Sequence, residues 1–161
     1  MAPDEGPGIT ENLQTERLTD QFRSLEFILH RFDRTAFDRL PSNGKWSARQ
    51  HLAHLARYHE IFQERLTRIL EEECPRFDRY KAEGDAKWPE WESLSSDAVL
   101  SRLRQSRAEL IGRLEQLPAD AYLRAGVHPA FGPMTLTDWL EFFLVHEGHH
   151  MYEIFKNLHA E

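Results

Sequence analysis

Four stretches of this chain repeat apolar residues at spacings of three and four, and none sustains the alternation of a half-buried strand. The first runs from about Thr10 to Leu40. Leu18, Phe22, Leu25, Leu29, Phe32 and Ala36 make its stripe before Pro41, Asn43 and Gly44 break the chain. The second opens at Ser47, a capping residue with Gln50 three positions on as its reciprocal partner. Its stripe is Leu52, Leu55, His59, Phe62, Leu66 and Ile69, and Pro75 ends it. The third starts near Ser95 or Ser96, buries Val99, Leu103, Leu110, Leu114 and Leu117, and closes at Pro118. The fourth is capped by Thr135 or Thr137 and runs through Trp139, Phe142, Phe143, His146, His150, Ile154 and Leu158. Helices with one apolar stripe must bury it against each other, so the fold expected is all-α, a four-helix bundle. The segment from Pro75 to Ser95 is too long for a tight hairpin and predicts a crossover, with Trp88 and Trp91 packed over one end. Tyr122 to Met134, with His128-Pro129 and Gly132-Pro133, predicts an irregular loop with room for a short hairpin.

A chain of 161 residues fits one domain, expected over 10–161. Residues 1–9, acidic and rich in Pro and Gly, lack the basic start and apolar centre of a signal peptide and predict a disordered tail. No apolar run approaches the roughly 20 residues that span a bilayer. The formal charge of −7 and the lack of a basic run set nucleic-acid binding aside, because such binding needs Lys and Arg to displace counterions. The single cysteine, Cys74, permits no internal disulfide, which suits a cytoplasmic protein. It follows Glu71, Glu72 and Glu73, whose charge disfavours a reactive thiolate.

Six of the nine histidines fall in two clusters, His51/His54/His59 and His146/His149/His150. Residues four apart on a helix lie about 40° apart around it and one turn along it, so His146 and His150 can converge on one metal ion. His149 is turned about 100° away and suits the surface. Residues 146 to 150 also match the H-E-x-x-H zinc-protease pattern. That reading fails downstream, where Lys156 stands at the position of the third histidine of the longer motif. A third ligand is therefore expected from the second helix, where spacing alone leaves His51, His54 and His59 open.

The run Trp46-Ser47-Ala48-Arg49-Gln50-His51-Leu52-Ala53-His54 resembles the first signature of the DinB-like superfamily, a Trp-Ser helix start with a histidine eight residues after the tryptophan. Val145-His146-Glu147-Gly148-His149-His150 resembles its second, His-x-x-x-His. The loop from His128-Pro129 to Gly132-Pro133-Met134 is similar to the segment before the last helix in metal-dependent hydrolases and bacillithiol-transferase-like members. The resemblance implies a four-helix bundle with a long crossover connection and a zinc or nickel ion held by His54, His146 and His150. It also implies a homodimer, and a low-molecular-weight thiol as co-substrate in the best understood members.

Three imidazoles leave a metal ion at least one open position, where a water or a thiol becomes more acidic. The function expected is a metal-dependent thiol transferase or hydrolase acting on a small molecule. The alternative is a non-catalytic helical module for dimerisation or partner binding, with a structural metal closed by His59 or Glu147, or none. Glu147, His59 and Tyr58 are the candidates for orienting the ligands, since a ligating histidine gives its second N–H to an acceptor. For Glu147 the competing expectation is a solvated helix charge.

Overall fold

The computed structural model describes residues 8–160, with side chains from residue 13. The chain runs α1 (Gly8–His30), α2 (Ala48–Glu71), α3 (Trp88–Ser93), α4 (Ser96–Glu115), β1 (Ala125–His128), β2 (Gly132–Thr135) and α5 (Leu136–His159). The bundle is made of α1, α2, α4 and α5. Of the tail expected over 1–9, residues 1–7 lie outside the described residues, and α1 begins at Gly8. No helix among the described residues is long and apolar enough to cross a membrane.

The capping box expected at α2 forms, and of the two caps left open for α5 Thr135 is the one used, in a second capping box. Ser47 accepts from the Gln50 amide while the Gln50 side chain accepts from the Ser47 amide, and Thr135 and Asp138 do the same at α5. Such a cap contributes ~1 kcal/mol and fixes where each helix starts, hence which residues share a face. The first helix stops at His30, ten residues before Leu40. Asp33 accepts from the Thr35 amide and caps a 3-10 turn over Arg34–Asp38, a local bond that competes with the helix. The turn still buries Phe37. The segment read as an irregular loop with room for a short hairpin does form one, two-stranded and antiparallel, with Ala125 opposite Thr135 and His128 opposite Gly132. Four-residue strands are too short for alternation to be visible. Gly126 is there because a Cβ would meet Phe77 at 2.7 Å.

α2 packs on α4 and α5, and so does α1, which sets α1 and α2 on one diagonal of the bundle. α2 is covered on almost every side from His51 to His59. The crossover supplies part of that cover. Arg57 on α2 grips Asp85 through Nε to Oδ2 at 2.6 Å and holds Glu60 at 2.7 Å, while Tyr80 donates to Asp85 at 3.0 Å. Trp88 and Trp91 join Leu52, Leu55, Leu100 and Leu103 in a core at one end, as expected. A second core gathers Leu18, Phe62, Leu66, Leu110, Leu114, Trp139 and Phe143 at the other.

Between the two cores lies a polar layer with one residue from each bundle helix. Arg107 of α4 binds Glu147 of α5, donates from Nε to His59 Nε2 of α2 at 3.1 Å, and reaches the Leu18 carbonyl. Gln21 of α1 donates to Glu147 at 2.6 Å. Arg107 is 2% exposed and Glu147 1%, so Glu147 is not a solvated helix charge. Both occupy stripe positions, Arg107 four residues after Leu103 and Glu147 four after Phe143. Breaking such a pair strands a buried charge. Arg107→Met is therefore expected to lower stability by ~3–5 kcal/mol. Arg107→Met with Glu147→Leu is expected to recover most of it, as urea unfolding followed by circular dichroism will read. An Arg107→Met midpoint equal to the parent's would remove the argument.

Candidate metal centre

α2 and α5 meet where His54, His146 and His150 converge. Each offers one nitrogen, and these atoms lie within 4.8 Å of one another. Nε2 of His54 and Nε2 of His146 are 3.2 Å apart. Two nitrogens bound tetrahedrally to one ion at 2.0–2.1 Å stand roughly 3.3 Å apart, so this spacing already fits a shared metal. Burial, first of all, and then the charge of neighbouring histidines push His54 down to about 3, His146 to about 4 and His150 to about 2. All three are neutral at pH 7, the form that ligates a metal. The donor set and its protonation therefore fit a divalent transition metal.

The other histidines of the two clusters separate. His51 Nδ1 lies 2.9 Å from His150 Nδ1. In the tautomer where His150 donates that proton, its Nε2 lone pair is free for a metal, and His51 is the acceptor a ligating imidazole requires. His59 is wholly buried in the polar layer, with Nδ1 on the Leu55 carbonyl at 2.7 Å and Nε2 on Arg107. His149 is exposed. Glu147 is directed at Arg107 and Gln21, so neither it nor His59 hydrogen-bonds any of the three converging histidines. Tyr58, the third expected neighbour, does reach the site, its ring 4.3 Å from that of His146.

Nδ1 of His54 and Nδ1 of His146 are buried and have no hydrogen-bond partner among the described residues. Their rings are held by packing instead. His54 sits 5.2 Å from Trp46, 5.7 Å from Tyr80 and 6.1 Å from Tyr58, while His146 stacks 6.2 Å from Phe142. Trp46 stacks on Trp88 at 5.2 Å, which ties the crossover to the site. Sequence reasoning missed Trp46 as a site neighbour and held His51 only as a candidate ligand, not as the partner of one. The spacing put His51 at the site, since His51 and His54 are three apart and share a face.

His54 and His146 form one wall of a cleft of about 490 Å3. Tyr58, Tyr80, Phe131 and Phe142 make its apolar sides, and the β1–β2 turn from His128 to Phe131 lines it as well. The arrangement can hold a metal ion at the edge of a space large enough for a small molecule.

The sequence pattern of the DinB superfamily matches residues 14–154. Among solved structures, the chain is similar to YfiT from Bacillus subtilis, described as "a probable metal-dependent hydrolase with an unusual four-helix bundle topology". The TM-score is 0.79 at 21% identity, covering 98% of this chain and 91% of YfiT. No curated protein sequence matches the chain.

Proposed function

The chain belongs to the DinB superfamily, and from that premise we propose that it is a metal-dependent enzyme acting on a small molecule, with one zinc or nickel ion held by His54, His146 and His150. The observation that carries this reading is the convergence of three neutral imidazoles, two buried and that of His146 half-buried, at the edge of a cleft. Bound there, a divalent ion supplies Lewis acidity that makes a water or a thiol nucleophilic near neutral pH.

The protein's own groups do the rest. His51 orients His150 through the Nδ1 contact. Tyr58, Trp46 and Phe142 pack the ligand rings and limit water on their side. Tyr80 and Phe131 offer faces for the apolar body of a substrate. The same three donors serve hydrolysis and thiol transfer, so the nucleophile supplied decides which reaction runs. The description of YfiT as a probable metal-dependent hydrolase supports the hydrolytic branch.

The competing reading, a helical interaction module with a structural metal, needs a fourth protein ligand. His59 and Glu147 would have closed the site, and both are engaged by Arg107 in the polar layer. That engagement favours an open coordination position.

Protein purified without an affinity tag is expected to contain about one zinc or nickel ion per chain by elemental analysis. The loaded protein is expected to turn over activated esters, amides or electrophiles, with or without an added low-molecular-weight thiol. No metal after reconstitution would sink the proposal. The homodimer implied by the family resemblance is part of the proposal and is read by light scattering.

A further inference from the structure

Resting on that reading, we infer that Arg65 and Arg79 form an anion-binding subsite beside the three histidines. It takes the carboxylate or phosphate group of a substrate whose body is aromatic or apolar. The chain as a whole carries 27 acidic residues against 20 Lys and Arg. The cleft reverses that balance, since Arg65 and Arg79 line it and no carboxylate among the described residues does.

Three arginines are buried, and two of them have acidic partners. Arg57 is held by Asp85 and Glu60, and Arg107 by Glu147. Arg65 is 7% exposed and has no ion pair among the described residues. Its guanidinium donates to the Tyr58 hydroxyl at 3.3 Å and to the Asp78 carbonyl at 2.8 Å, and lies over the rings of Tyr58, Phe77 and Trp139. A guanidinium carries five N–H donors in a planar fork suited to an oxyanion. Two of these groups are used by the protein, and the side chain borders the cleft. A buried charge without a counter-ion is unfavourable unless a ligand supplies one.

Arg79 adds a second charge on the same wall, exposed and with no hydrogen bond or ion pair among the described residues. Asp78 and Asp85 border the neighbouring groove on the other side of the two arginines, and Asp85 is already paired with Arg57. The aromatic faces of Tyr58, Tyr80, Phe131 and Phe142 suit a flat or apolar body. The volume suits a small molecule rather than a polymer.

The test is calorimetric titration of metal-free, chelator-treated protein with 2-naphthoate, 2-naphthyl phosphate and the neutral 2-naphthamide. At least one anion is expected to bind ~10-fold or more tightly than the amide, and the tighter anion names the group recognised. Arg65→Gln is expected to abolish that preference while amide affinity stands, and the exposed Arg79→Ala to reduce it several-fold. Equal affinity for amide and anions, no binding of any probe, or equal loss of amide and anion in Arg65→Gln would overturn the subsite. Metal content of the same proteins is measured in parallel. A chain that never takes up metal can still show the anion preference, and a fully metallated chain can lack it, so the two readings fail separately.

Discussion

His54→Ala, His146→Ala and His150→Ala are each expected to weaken zinc or nickel binding by more than ~100-fold, beyond the 10–100-fold that losing an orienting partner costs. His51→Ala is expected to fall within that lower range, because it removes the acceptor at His150 Nδ1 and no ligand. His149→Ala is expected to leave binding unchanged, since the ring is exposed. Competition with a chromophoric chelator, on variants whose circular dichroism matches the parent, separates these three levels. Metal loss in His149→Ala with retention in His146→Ala would reassign the ligating face of α5. A His51→Ala protein with parent affinity would remove the orienting role.

The metal-free protein is expected to lose stability steeply as pH falls below about 6.5. Burial holds His51, His59 and His146 down to about 4, His54 to about 3 and His150 to about 2, against an unfolded value of 6.5. Above pH 6.5 these rings are neutral in both states and contribute no pH dependence. Between about 6.5 and about 4 the unfolded chain takes up protons that the folded chain refuses, so unfolding is favoured as pH drops. Each such ring weakens the fold by ~1.4 kcal/mol per pH unit, and two acting together by ~2.7, a large part of a typical total. Urea unfolding at pH 7, 6 and 5 is expected to show falling midpoints. Added zinc or nickel shifts the fall to lower pH until protons displace the metal. A midpoint that stays constant from pH 7 to 5 would show that these histidines take up protons in the fold as readily as in the unfolded chain.

What the chain disclosed before folding depended on whether a residue's role was local. Ser47 with Gln50 was legible, and the start of α5 was narrowed to Thr135 or Thr137, because a cap is written within four residues. The pairing of His146 with His150 was legible because helical spacing alone brings them together. His51, His54 and His59 could not be separated that way. Their roles differ by which neighbouring helix each faces, and only the family resemblance singled out His54. Arg107 and Glu147 were a missed signal. Each stands at an apolar-stripe position, and a charge there requires a buried partner of opposite sign. Arg65 left no such trace, since its setting comes from the crossover and the hairpin folding over α2.

The polar layer bears on the order in which the protein and the proposed metal would come together. A helix displaced by one turn would set Arg107 or Glu147 against leucines, so misthreaded bundles are penalised before any ion arrives. His54 stands five residues before His59 on α2, and His146 is the residue before Glu147 on α5. Aligning the layer therefore aligns the histidines. On the proposed reading an ion would meet a receptor already assembled, and its capture would be a docking event rather than a folding one.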